Sequence, residues 1–355
     1  MKKLKYPSIN GLRAISILLV LCNHLTMRDN LFAHLSSIKL LMPLLAFLLD
    51  GQLGVNVFFV ISGFLITSLM IQEEEVENKI SLKSFYIRRT LRIFPAYYFL
   101  LLVYFILQVF NFIHIGASSW LTAITYTKYF NWHNEWLTSH AWSLSIEEHF
   151  YLLWPLVFIS GKIFRKRFAL LLILLVPVIR VFIYFFPISW LNEFTIFLRI
   201  DAIAIGCLFA IYKDEVIKKM SAHWLKLFLT ALLFLFFLRY GPLLAAKINM
   251  GFIFIPLGVT HGTIANLLIA TIMMYSVFGP KGIWFKILNN KIVNYIGLLS
   301  YSIYLWQQFF FNPNENLLTH FPINIICIFF MAVFSYHLIE LPFLKLKSKF
   351  SVTKS

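Results

Sequence analysis

Runs of roughly 17–20 mostly apolar residues alternate along the chain with short polar stretches, and as helices each is long enough to cross a hydrocarbon core about 30 Å thick. Ten such runs stand out, at about 11–27, 54–72, 93–112, 145–161, 168–187, 195–212, 224–240, 262–279, 295–312 and 321–343. With no water to satisfy exposed backbone groups, an apolar span of this length closes its hydrogen bonds internally as a helix. The stretch 117–130, ASSWLTAITYTKYF, is shorter and more polar, and predicts an interfacial or re-entrant piece. The pattern predicts an all-α, polytopic membrane protein with about ten transmembrane helices.

Charge tests that count, because Lys and Arg concentrate in every second loop on the cytoplasmic side. One face gathers Lys2, Lys3 and Lys5; Lys79, Lys83, Arg88, Arg89 and Arg92; Lys162, Arg165, Lys166 and Arg167. It continues with Lys213, Lys218 and Lys219; Lys281, Lys286 and Lys291; and Lys345, Lys347, Lys349 and Lys354, which makes 22 of the 31 basic residues. The opposite loops carry Arg28, Lys39, Lys128 and Lys247. An even number of spans with both termini cytoplasmic accounts for this bias.

Composition agrees, with 60% hydrophobic and 13% charged residues among 355. A soluble domain has about 45–50% apolar and about 25% charged residues, so a water-soluble globule is excluded. The net charge of +16 is spent on topology and points to the lipid bilayer as partner, with no nucleic acid. Cys22, Cys207 and Cys327 lie far apart with no metal-ligand spacing, so neither a disulfide framework nor a metal site is expected. No small-x-small site follows the first apolar run, which reads as an uncleaved span. Residues 1–355 are expected to form a single membrane domain with no appended soluble domain.

Ionisable residues within spans are costly and mark candidate sites. Arg13 and His24 are eleven residues apart on the first span, about 20° from a whole number of turns and about 16 Å apart along its axis. They can line one cavity, although a snorkelling Arg13 and a hydrogen-bonded His24 fit equally well. In FYIRRTLRIFPAYY, Arg88 with Arg92 and Arg89 with Arg92 are one-turn neighbours whose guanidinium forks suit phosphate oxygens. A topology anchor explains the same three residues. In HAWSLSIEEHFYLLWP, Glu147 shares a face with Tyr151, near Ser143, Ser145, His140 and His149, with Glu148 as its solvated partner. A carboxylate there can exchange protons or orient a histidine; capping of the helix by Ser143 or Ser145 is the structural alternative. Arg199 and Asp201 are two apart and do not face each other on a helix, so each needs a partner elsewhere. Tyr301, Ser302, Tyr304, Gln307 and Glu340 add polar groups to the last two spans, in packing or in a site.

Seven segments together, NGLRAISILLVLCNH, GVNVFFVISGFLITSLM, FYIRRTLRIFPAYY, AWSLSIEEHFYLLWP, FLRIDAIAIG, GLLSYSIYLWQ and YHLIELPF, resemble in order the acyltransferase-3 family of integral-membrane acyltransferases. The resemblance runs from residue 10 to residue 343. It implies an enzyme of the bacterial inner membrane that moves an acyl group, commonly acetyl from cytoplasmic acetyl-CoA, to a sugar hydroxyl. Relatives modify lipopolysaccharide O-antigen, peptidoglycan and other glycans; O-antigen is the acceptor expected first, as a glycan or lipid-linked sugar.

The resemblance carries the family's first-span Arg and His onto Arg13 and His24, its Arg-x-x-Arg motif onto Arg89 and Arg92, and its Trp-Ser-Leu-x-x-Glu motif onto Trp142, Ser143 and Glu147. His24, Glu147, Ser143 and Arg13 are thus the catalytic candidates, and Arg88, Arg89 and Arg92 the donor-binding ones. Trp142, Tyr151, Arg199, Asp201 and Tyr301 are the candidate acceptor contacts. Two positions depart from the family pattern: Asn56 stands where many members have an acid, and Gln307 replaces a His, which leaves His24 as the preferred base. A transporter or flippase for a sugar, lipid or organic anion is the rival reading, since intramembrane charges would serve it as well.

Overall fold

The structure is a computed structural model that describes residues 6–29, 42–130, 135–186, 197–247, 255–313 and 316–350. Lys2, Lys3, Lys5, Lys39 and Lys354, counted above in the charge pattern, lie outside the described residues. Every regular element among those described is helical. In chain order they are α1 (Ile9–Asp29), α2 (Met42–Leu48), α3 (Gly51–Glu77), α4 (Leu82–Val109), α5 (Ala117–Ile124), α6 (Trp136–Ser139), α7 (Ala141–Ile159) and α8 (Lys162–Phe185). There follow α9 (Ile200–Ile211), α10 (Lys213–Met220), α11 (Trp224–Lys247), α12 (Ile255–Phe278), α13 (Ile283–Leu288), α14 (Lys291–Phe310), α15 (Ile323–Ser335) and α16 (Leu341–Lys347). A π-turn, Tyr336–Glu340, joins α15 to α16.

Each predicted apolar run coincides with helix wherever it is described. Among the described residues six stretches are long and apolar enough to cross a membrane: Ile9–Arg28, Gly51–Glu77, Leu82–Val109, Lys162–Phe185, Lys213–Tyr240 and Ile323–Lys347. The other four runs form α7, α9, α12 and α14. Of these, α9 is short, Ile200–Ile211, polar residues dilute α7 (Ser143, Ser145, Glu147, Glu148, His149) and α14 (Ser300, Ser302, Gln307, Gln308), and α12 runs over 24 residues. Stretch 117–130 forms the short helix α5 and a 3-10 turn at Lys128–Phe130.

The chain divides into two compact units, one of Gln72–Leu156 and Leu299–Ser355, the other of Tyr6–Ile71 and Val157–Leu298. In the second unit α3 and α9 meet backbone to backbone. A Cβ on Gly63 would lie 2.0 Å from the Ile203 carbonyl oxygen, and one on Gly206 would lie 2.1 Å from that of Val60. Without a hydrophobic drive between helices in lipid, such close approach of small residues supplies the dispersion contact that holds them together. At the start of α1, Ser8 N–H donates to Asn289 Oδ1 (3.0 Å) and Asn10 Nδ2 to Asn294 Oδ1 (2.7 Å), which fixes the helix that carries Arg13 and His24.

In the first unit, the turn between α3 and α4 is clasped by one buried carboxylate. Glu73 accepts from Ser81 N–H (3.0 Å) through Oε1 and pairs with Arg88 (2.6 Å) through Oε2. Ser81 in turn caps α4 by accepting from Ser84 N–H at 3.2 Å, relieving one of the orphan donors of a helix start. Segment 117–130 lies along α4: Tyr97 and Tyr98 hydroxyls donate to the carbonyls of Ala123 (2.8 Å) and Ile124 (3.0 Å). Gln108 Oε1 accepts from both Ile115 N–H (2.9 Å) and Trp120 Nε1 (3.0 Å).

Candidate functional site

The N-terminal half of α7 carries a group of polar side chains, Ser143, Ser145, Glu147, Glu148 and His149. It is held at its start by α6 and the end of α14, where Trp136 Nε1 donates to the Gln308 carbonyl (2.9 Å) and Gln308 Nε2 to Ser139 Oγ (3.0 Å). The His140 carbonyl then accepts from Tyr304 Oη at 3.0 Å and from Ser143 Oγ at 3.2 Å. Ser143 Oγ and Tyr304 Oη are themselves 2.7 Å apart, and either can donate. His140, Ser143 and Tyr304 are all buried. Two hydroxyl protons thus serve three contacts among the two hydroxyls and the carbonyl, in a space closed to bulk water.

Four-residue steps keep a helical stripe in line, and Ser143, Glu147 and Tyr151 follow it. Tyr151 Oη donates to Glu147 Oε1 at 3.5 Å, a long bond, and the Arg89 guanidinium carbon lies 4.8 Å from the Tyr151 ring centroid and 5.8 Å from that of Phe85. The stripe from Ser143 to Tyr151 is about 12 Å long, with a hydroxyl pair at one end and a stacked arginine at the other. Stacking on an aromatic face leaves the guanidinium edges directed outward, the geometry in which Arg serves as an oxyanion fork.

The three arginines of α4 are not equivalent. Arg88 is taken up by Glu73 and by a 2.9 Å bond from Nη1 to the Phe350 carbonyl, whereas Arg89 rests on Tyr151 and Arg92 is half-buried one turn on. Tyr301 donates to the Ile93 carbonyl at 2.9 Å, joining α14 to α4. Trp142 is buried next to Ser143. Glu148, expected as the solvated partner of Glu147, instead has its Oε1 enclosed and without a hydrogen bond. It lies on the side of α7 shared with Ser145 and His149, which the 3-10 turn covers: Lys128 N–H donates to Ser145 Oγ, and the Tyr129 and His149 rings are 5.5 Å apart.

In the second unit Arg13 and His24 are both half-buried on α1. Asp201 and Arg199 have separate partners. Asp201 Oδ1 pairs with Arg180 at 2.9 Å, its Oδ2 accepts from Thr263 Oγ1 at 2.6 Å, and Arg180 Nη1 donates to the same Thr263 oxygen at 3.0 Å. Arg180 also donates to the Leu198 carbonyl, and Arg199 to the Gln52 side chain. Asp201 is fully buried. This closed triangle is a joint between α8, α9 and α12.

Sequence reasoning missed Glu73, Arg180 and Thr263, and gave Tyr304 no particular weight. Arg180 carried a usable signal, a lone charge within the run 168–187. Glu73 stands beside Glu74 and Glu75 and reads as part of a solvated acidic patch, with nothing local to show that it turns inward. Among the described residues no group of three or more His, Cys, Asp or Glu side chains could hold a metal ion.

Comparison with known proteins gives the same direction. The family described as Acyltransferase domain matches residues 6–339. The O-acetyltransferase OatA of Staphylococcus aureus (strain NCTC 8325 / PS 47) is 30% identical over 379 residues, covering 96% of this chain and 57% of the relative, with the same figures for OatA of strain COL. A second protein of strain COL, provisionally named an O-acetyltransferase, is 28% identical over 383 residues, covering 97% of this chain and 58% of the relative. The chain therefore spans under two thirds of the length of these relatives. No solved structure matches the chain.

Proposed function

Since this chain belongs to the acyltransferase-3 family, we propose that it is a multi-pass membrane O-acyltransferase that moves an acetyl group from cytoplasmic acetyl-CoA to a sugar hydroxyl of a surface glycan. The observation that carries this reading is the stripe on α7, where a buried Ser143–Tyr304 hydroxyl pair and the Glu147 carboxylate lead to an arginine stacked on Tyr151. A transporter needs polar groups along a path; it has no need of paired hydroxyls that exchange protons at one end of it.

In this reading Arg89, with Arg92 one turn on, binds the donor phosphates, and Arg88 holds the α3–α4 turn through Glu73 instead of touching donor. The acceptor oxygen attacks the thioester carbonyl, the acceptor proton passes to His24 as general base, the C–S bond breaks, and the His24 imidazolium gives the proton to the departing thiolate. The ordinary pKa of a histidine suits that task. Ser143 and Tyr304 supply hydroxyls to the acceptor or to the developing oxyanion, Glu147 holds the negative charge of the stripe, and Arg13 lines the same α1 face as His24. The ten-span arrangement with both termini in the bacterial cytoplasm belongs to this proposal, as does lipopolysaccharide O-antigen as the first acceptor to try.

Membranes from expressing cells, given labelled acetyl-CoA, should place label in base-labile esters of a glycan fraction. Absence of label with folded protein and acceptor-bearing membranes would remove acetyl-CoA as the donor. The division of labour on α4 gives a second expectation. Arg89→Ala should raise the KM for donor about tenfold or more, with Arg89→Lys intermediate because the bidentate fork is lost. Arg88→Ala should instead lower thermal stability, leaving a buried Glu73 without its cation, with donor KM nearly unchanged. Equal effects of the two substitutions on donor KM would refute the assignment.

A further inference from the structure

One basic residue of the first unit has no place in the mechanism above. Lys128, in the 3-10 turn over α7, is fully buried, and its Nζ makes no hydrogen bond. Its position is fixed from the backbone, by the 3.2 Å bond from its N–H to Ser145 Oγ, itself bonded to the Ala141 carbonyl at 2.9 Å. The backbone of Lys128 is thereby anchored to the start of α7, which also carries Ser143. Among the described residues no ion pair reaches the ammonium. An enclosed ammonium with three unused donors is among the costliest groups a fold can hold. Folds retain such a group where something from outside completes it.

We propose that Lys128 binds an acidic group, carboxylate or phosphate, of the glycan whose hydroxyl is acylated, so that the enzyme selects acidic acceptors. The proposal rests on the reading of the chain as a sugar O-acyltransferase. Glu135 acts on the ammonium without a hydrogen bond to it, and an oxyanion supplies what the site lacks, acceptors for the three donors. Other polar atoms of the unit are likewise enclosed and unbonded, among them Thr138 Oγ1 on α6 and Gln308 Oε1 and Trp306 Nε1 on α14. Burial pushes the Lys128 ammonium down to about 8, with the charge of Glu135 opposing the shift, which is the direction expected of a cation awaiting its anion. Lys128 is not an acyl carrier, because an acylated amine is an amide and does not pass its acyl group to a hydroxyl.

The test uses the full chain in detergent or nanodiscs, with methyl glucuronide, glucose 1-phosphate and neutral methyl glucoside as probes. Thermal stabilisation by each sugar reports binding, and acetyl transfer from labelled acetyl-CoA is measured beside it. Wild type should respond to at least one acidic sugar at concentrations tenfold or more below those of the neutral glucoside. The stronger of the two acidic probes tells carboxylate from phosphate. Lys128→Met, which replaces an unpaired buried charge with an apolar chain of similar length and should fold at least as well, is expected to lose the discrimination; Lys128→Arg should keep part of it. Equal responses of wild type to neutral and acidic sugars, or discrimination unchanged in Lys128→Met, would overturn the proposal and leave acyl transfer standing. Discrimination in wild type with no label transferred would support the Lys128 site and remove transfer from acetyl-CoA to these sugars.

Discussion

Replacing His24 with Ala should lower acetyl transfer by about 10²–10⁴-fold, the range over which positioned acid–base groups act, while the protein continues to bind its donor. The expectation follows from a division between two kinds of residue. Donor recognition is assigned to guanidinium groups on α4, whereas His24 sits eleven residues from Arg13 on α1 and is assigned the proton. A variant that lacks the base but keeps the arginines should protect the same donor concentration-dependently and turn over almost none of it. Added imidazole should restore part of the rate, a response that a purely structural histidine would not give. Normal acetylation by a stably expressed His24→Ala protein would remove His24 from catalysis.

The second large effect concerns folding. Asp201→Ala should destabilise the protein by about 3–5 kcal/mol, the cost of leaving a buried partner uncompensated. Asp201 is fully buried and both its oxygens are in use, by Arg180 and by Thr263. Removing the carboxylate leaves the Arg180 charge with only the Leu198 carbonyl and the Thr263 hydroxyl. Replacing the whole triangle by apolar residues, Asp201→Leu with Arg180→Met and Thr263→Val, should recover most of the lost stability, because no charge then remains buried alone. Denaturant or thermal unfolding of the three proteins in one detergent decides the matter. Equal stability of the single and triple variants would show that the triangle is not the joint described here.

The helices were legible in the sequence because an apolar run and its flanking charges are local. Their partners were not. The Arg180–Asp201 and Glu73–Arg88 pairs join residues from different helices, and hydropathy says nothing about which faces meet. The stripe Ser143, Glu147, Tyr151 could be read from four-residue spacing, but its ends, Tyr304 and Arg89, come from other elements. Lys128 reads as an outer-loop charge, and only its setting between aromatic neighbours in TYTKYF points to its enclosure. Polar groups dilute the runs that form α7 and α14, because side chains that face other helices obey the interior rather than the lipid.

Glu340 meets Ser302 from within the π-turn Tyr336–Glu340. Such a turn holds one residue more than an α-helix needs, so α15 and α16 keep different phases. A face traced by the 3.6-residue period through the last helical stretch drifts by about 100° at that point. Here residue number, and not only residue type, is a determinant of the structure: a chain one residue shorter would carry the same chemistry and turn Glu340 away from its hydroxyl. Any graft, chimera or alignment that treats the final helix as one continuous α-helix will therefore misassign its inward face on one side of the insertion.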